Sequence, residues 1–254
     1  MSRLSRRTFG AGAASAALVS QPVLAALPAP PLQGRSLVLN RAILPIHVTS
    51  VRRALSLMID RKLFIDRLLD GAGEPAGQMV PQGLGGFDPS LTPTKADMAT
   101  AKKLLAEAGY PFAKGFPQLK LSYSSNARNK ARMEALADSI RKVLWIDIVL
   151  DPVESRAYTA LLKKQETTPP MFVAGWCQDY PDPQNWYSLV FTSSSSIDHT
   201  AWKNKEYDKL CDAGDKELDN VKRTGYYKQA AQLLLSDAAV AFFYQIFPIN
   251  FCHQ

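Results

Sequence analysis

Strand and helix signals alternate from residue 50 to residue 247, which predicts an α/β fold, a mostly parallel sheet flanked by helices. Two observations carry this. Residues 171–176 and 239–247 are apolar and aromatic runs of strand length, suited to the middle of a sheet. Elsewhere apolar residues recur at helical spacing, each run opened by a capping residue or closed by glycine.

The elements follow in order. Ser50 can cap a helix with Val51, Ala54, Leu55 and Met58 on one face. Asp60 caps a second, through Leu63, Phe64, Leu68 and Leu69, and Gly71 ends it. Residues 71–93 are rich in Gly and Pro and read as a long loop. Asp97 caps a third helix, with Met98, Ala101, Leu104, Leu105 and Ala108 inward and Gly109 as its stop. Leu119, Leu121 and Tyr123 alternate as a strand does. A helix (129–144), a strand (146–150), a helix (155–165) and the strand 171–176 come next. Two helices, 205–218 and 221–237, the second capped by Asn220, lead into the last strand.

The 254 residues include 30 Lys+Arg and 23 Asp+Glu, a net charge of +7. Arg3, Arg6 and Arg7 fall in the first 25 residues, which hold no acid, and without them the charge is a modest +4. That segment reads Ser5-Arg6-Arg7-Thr8-Phe9-Gly10, then a weakly apolar Ala/Gly run ending Val23-Leu24-Ala25. It resembles a twin-arginine signal peptide cut after Ala25, so the expected location is the periplasm. Ser15, Ser20, Gln21 and Pro22 make it a poor spanning helix, and no other stretch approaches the roughly 18 apolar residues required. Residues 26–49 contain Pro28, Pro30, Pro31 and Pro45 and read as a linker with at most one short strand at 37–39.

Several chemistries lack their motifs. His47, His199 and His253 form no HExxH, and there is no GxSxG and no P-loop. Gly71, Gly73 and Gly77 miss the dinucleotide-binding spacing. Cys177, Cys211 and Cys252 match no zinc pattern; outside the cytoplasm two of the three could pair, and the sequence does not choose which. No metal and no cofactor is expected. Basic pairs at Arg52/Arg53, Arg61/Lys62, Lys102/Lys103, Arg141/Lys142 and Lys163/Lys164 are spread over five helices and read as solvated faces. A nucleic-acid partner is therefore not expected.

One segment carries information of its own. The strand 171–176 delivers Trp176, Cys177, Gln178, Asp179 and Tyr180 onto a proline-bounded loop at its carboxyl end, where α/β sheets bind ligands. An acid among Trp176, Tyr180 and Trp186 could pair with a ligand ammonium group while the aromatics exclude water. The plainer alternative is that Asp179 and Asp182 form turns with Pro181 and Pro183 while the aromatics fill core.

Four stretches together resemble a known family: VRRALSLMIDRKLFIDRLLDGAGEPAGQMVP, DMATAKKLLAEAGYP, GWCQDYPDPQNW and the run from YDKLC to FPINF. In that order they are similar to the C-terminal lobe of the family 5 solute-binding proteins of ABC transporters, the oligopeptide, dipeptide and nickel binders. The resemblance implies a periplasmic-binding-protein-like lobe over residues 50–254, with the first lobe of the usual two-lobed clamp missing. It implies a binding protein rather than an enzyme, a peptide or similar amine-bearing solute, and an ABC permease in the inner membrane. In peptide-binding members the acid of this loop holds the ligand amino group, which carries over to Asp179. Trp176, Cys177, Gln178 and Tyr180 carry over as its neighbours, and Tyr158, Asn185 and Trp186 as further parts of the same wall. Two alternatives stand beside this expectation. The chain could be a fragment that binds nothing alone, or half of a two-chain assembly completed by a separate first-lobe chain. It could also be an exported hydrolase using Asp179 and Asp182, although no second catalytic group is evident.

Overall fold

A computed structural model describes residues 33–197 and 200–246. The expected export segment, His199, Cys252 and His253 lie outside the described residues.

Among the described residues six strands form one sheet: β1 (Gln33–Leu39), β2 (Glu74–Pro75), β3 (Leu119–Ser124), β4 (Ile148–Val153), β5 (Met171–Cys177) and β6 (Val240–Ile246). Their spatial order is β2-β6-β1-β5-β3-β4. β3 pairs in parallel with β4 and β5, but the β1–β5, β1–β6 and β2–β6 ladders are antiparallel. The sheet is therefore mixed, not mostly parallel. β1 causes the difference. It comes from residues that read as linker and inserts between β5 and β6, opposed to both. Leu37 and Leu39 are fully buried against one face and Val38 against the other, which is how a central strand must behave.

Helices cover both faces. On the Leu37 side lie α1 (Thr49–Leu57), α2 (Arg61–Leu68), α3 (Met98–Glu107) and α4 (Ala127–Leu144). The Asp60 and Asp97 caps form as expected, accepting from Leu63 N at 3.0 Å and Thr100 N at 2.9 Å. α1 begins at Thr49 instead of being capped by Ser50. Met98, expected inward, is 51% exposed, and Leu63 is 43% exposed, because Ala101 with Leu105 and Phe64 with Ile65 take the core positions. On the Val38 side lie α5 (Ser155–Leu161), α6 (Pro183–Trp186), α7 (Ser188–Phe191), α8 (Lys205–Lys216) and α9 (Asn220–Ser236). α5 stops four residues before the expected end, and α9 is capped by Asp219, not Asn220.

In two of the basic pairs one member leaves the solvated face, while Arg53 and Lys62 stay exposed. Arg52 is fully buried and donates to the main-chain oxygens of Ile46 (2.8 Å), His47 (2.7 Å), Asp237 (2.6 Å) and Ala238 (3.0 Å). Arg61 is also buried and donates to Phe242 O (2.7 Å), Thr94 O (2.7 Å) and Ile59 O (3.2 Å). Burial lowers each guanidinium to about 10. Each therefore remains charged at neutral pH and stitches the first two helices to the chain around β6. Cys177 is disulfide-bonded and the buried Cys211 is free, so Cys211 is not part of the pair.

Candidate ligand-binding site

β5 and β3 pair only at Met171↔Leu121 and Phe172↔Ser122, then diverge. At the fork the buried Tyr158 of α5 donates its hydroxyl to Val173 O at 2.8 Å. Burial pushes that hydroxyl above the ordinary tyrosine range, so it stays neutral. The gap opens into a cavity of about 1100 Å³. Arg35, Tyr123, Arg132, Tyr158, Trp176 and Tyr244 are among its walls.

At the carboxyl end of β5 the chain turns through Gln178, Asp179 and Tyr180 into α6. Asp182 caps α6 by accepting from Gln184 N at 2.8 Å. It also takes a two-pronged bond from Arg223, at 2.7 and 2.8 Å. Burial alone would raise its pKa, but the Arg223 fork and the Gln184 N–H outweigh burial and hold the carboxyl below its usual range. Asp179 differs. It is exposed and forms no ion pair among the described residues, and Asn185 is its hydrogen-bonding neighbour. One acid of the loop is committed to structure and the other is available.

The structure separates the expected site residues into two groups. Trp176 and Tyr158 line the cavity. Gln178, Asp179 and Asn185 belong to the loop beyond it. Asn185 and Trp186 are fully buried, so they support the loop from behind and do not form its wall. The short α6, started by Asp182 and Pro183, turns both inward. Trp186 donates to Gln178 Oε1 at 3.3 Å, and Trp176 donates to Asn185 Oδ1 at 2.9 Å. Tyr180 is 42% exposed, with its hydroxyl bonded to Gln184. Cys177 is held by its disulfide. Sequence reasoning missed Arg35, Arg128, Arg132, Tyr123 and Tyr244 as cavity residues. No motif marks them, and Arg35 sits in the stretch that read as linker. Among the described residues no His/Cys/Asp/Glu cluster could hold a metal ion, and no helix is long and apolar enough to cross a membrane.

A family model described as "Bacterial extracellular solute-binding proteins, family 5 Middle" matches residues 12–198. The chain belongs to this family. Among its family 5 relatives, it is 29% identical over 203 residues to the oligopeptide-binding protein OppA of Bacillus subtilis, covering 78% of this chain and 37% of that one. It is 30% identical over 200 residues to the periplasmic murein peptide-binding protein MppA of Escherichia coli, covering 77% and 36%. A crystal structure of a periplasmic oligopeptide-binding protein from Borrelia burgdorferi superposes with a TM-score of 0.79 at 28% identity, over 87% of this chain and 45% of that one. The chain thus spans less than half the length of the family 5 proteins it matches. Family 5 consists of binding proteins, not enzymes, which removes the hydrolase alternative.

Proposed function

We propose that the chain provides a peptide-binding surface of an ABC importer, exported to the periplasm, with Asp179 receiving the free amino group of the guest. The observation that carries this is the state of that carboxylate. It stands in the loop at the carboxyl end of β5, beyond the cavity that Trp176 lines and linked to Trp176 through Asn185, free of any cation among the described residues and steadied by that buried amide. A guest ammonium group would complete it, and enclosure by Trp176 would strengthen the pair by excluding water. An extended peptide would bind with main-chain hydrogen bonds and tolerant side-chain pockets. The names of the OppA and MppA relatives, both peptide-binding proteins, support the substrate class. The transport partner would be an ABC permease of the inner membrane.

Calorimetry with short peptides tests the reading. Asp179→Ala should cost about 2–5 kcal/mol of affinity for a free-amine peptide where the pair is desolvated. It should change little for the N-acetylated peptide, which carries no ammonium group. Equal affinity of wild type and variant for the free-amine peptide would overturn the assignment.

A further inference from the structure

Among the described residues, four cationic side chains, Arg35, Arg128, Arg132 and Lys163, line the cavity against one carboxylate, Asp70. None of the four forms an ion pair among the described residues, although ten such pairs occur elsewhere on the molecule. The positive charge is therefore concentrated where a guest would sit.

Arg35 stands out. It faces Gly175 across the β1–β5 ladder, and its guanidinium lies over that glycine. A Cβ built on Gly175 would come within 2.5 Å of Arg35 Nη1 and 2.8 Å of Cζ, so the missing side chain is what makes room for it. The residue is half-buried and makes no hydrogen bond to a described residue. Five N–H donors in a rigid fork, partly withdrawn from water and without a partner among the described residues, suit a planar anion. Arg132 is close by. It donates through Nε and Nη2 to Leu68 O, both at 3.3 Å; burial is the main thing that disfavours its charge, Arg128 and Arg35 add to it, and Tyr244 and Asp70 act against them. An anion placed among these groups would relieve their mutual repulsion.

We propose that Arg35 is a specificity-determining anchor for an acidic side chain of the guest, so that the protein selects peptides bearing Glu or Asp. This rests on the peptide-binding reading and adds a second contact to it: amino group at Asp179, side-chain carboxylate at Arg35.

Two C-terminally amidated peptides, Ala-Glu-Ala-amide and Ala-Gln-Ala-amide, isolate the side-chain charge. In calorimetry the wild type binds the Glu peptide at least tenfold more tightly than its Gln counterpart. Arg35→Met brings the two within twofold of each other, and Arg35→Lys keeps part of the preference. Gly175→Ala, whose methyl group would displace the guanidinium, serves as the variant if Arg35→Met does not fold. Equal binding of the two peptides by the wild type, or a preference that survives Arg35→Met, overturns the inference. If neither peptide binds, the peptide reading has failed and the anchor is read with citrate alone. At constant ionic strength citrate then raises the melting temperature of the wild type but not of Arg35→Met, and no such rise overturns the anchor as well.

Discussion

Asn185 holds Asp179 at two points. Its Oδ1 accepts the Asp179 main-chain N–H at 3.3 Å, and its Nδ2 donates to Asp179 Oδ2 at 3.4 Å. The same Oδ1 accepts the Trp176 indole N–H at 2.9 Å. Asn185 has no exposure, whereas Asp179 is exposed, so an interior amide directs a surface carboxylate.

Asn185→Ala should therefore act through Asp179. Affinity for a free-amine peptide should fall about tenfold, or roughly 1.4 kcal/mol. In an Asp179→Ala background the same substitution should change affinity little. A titration of the four proteins separates positioning from mere packing, since an equal loss in both backgrounds would mean that Asn185 only supports the fold.

Arg61 should matter for stability and not for binding. Arg61→Met keeps most of the apolar stem but leaves the carbonyls of Phe242, Thr94 and Ile59 without their donor. Urea unfolding should show a loss of about 2–4 kcal/mol, the scale of unsatisfied buried acceptors. A loss below about 1 kcal/mol would mean that water replaces the guanidinium without penalty.

The Asp182–Arg223 fork predicts acid lability. The Asp182 carboxyl is held below its usual range in the folded protein. Its contribution is thus present above the unfolded value of about 3.9 and is lost as pH falls through the lower folded value. Asp182→Asn should flatten the acid limb of stability below about pH 4 and cost about 1–2 kcal/mol at neutrality, discounted because the pair is partly exposed. Thermal unfolding of both proteins from pH 3 to pH 7 measures this directly.

Cys211 should be chemically silent. It is fully buried, and burial pushes its thiol up to about 12. A thiol reagent at pH 8 should leave the native protein unlabelled at this position and modify it only in denaturant. Rapid labelling of the folded chain would show that the core around Tyr207 and Tyr227 opens readily.

Much of the fold is legible from local signals. Asp60, Asp97 and the glycines at 71 and 109 punctuate helices where their chemistry requires it, with positive φ at both glycines. β1 is legible only at 37–39, because the other four of its seven residues, Gln33-Gly34-Arg35-Ser36, are polar or glycine and prolines precede them. Only its partners give it a buried position. The site was legible to the same extent. Asp179 and Trp176 sit in a recognisable loop, whereas Arg35 reaches the cavity through a pairing with Gly175 that no short-range pattern encodes. Arg52 and Arg61 look like surface charges in sequence because their acceptors are carbonyls from distant segments.

The ladder between β1 and β6 joins Leu37 to Ala241, about two hundred positions later. During synthesis the middle of the sheet stays open until nearly all of the described chain has left the ribosome. Until then β1 presents an unpaired apolar edge, the kind of surface that invites chaperones or aggregation. Maturation of this protein is thus paced by the arrival of its last strand rather than by any helix that forms before it.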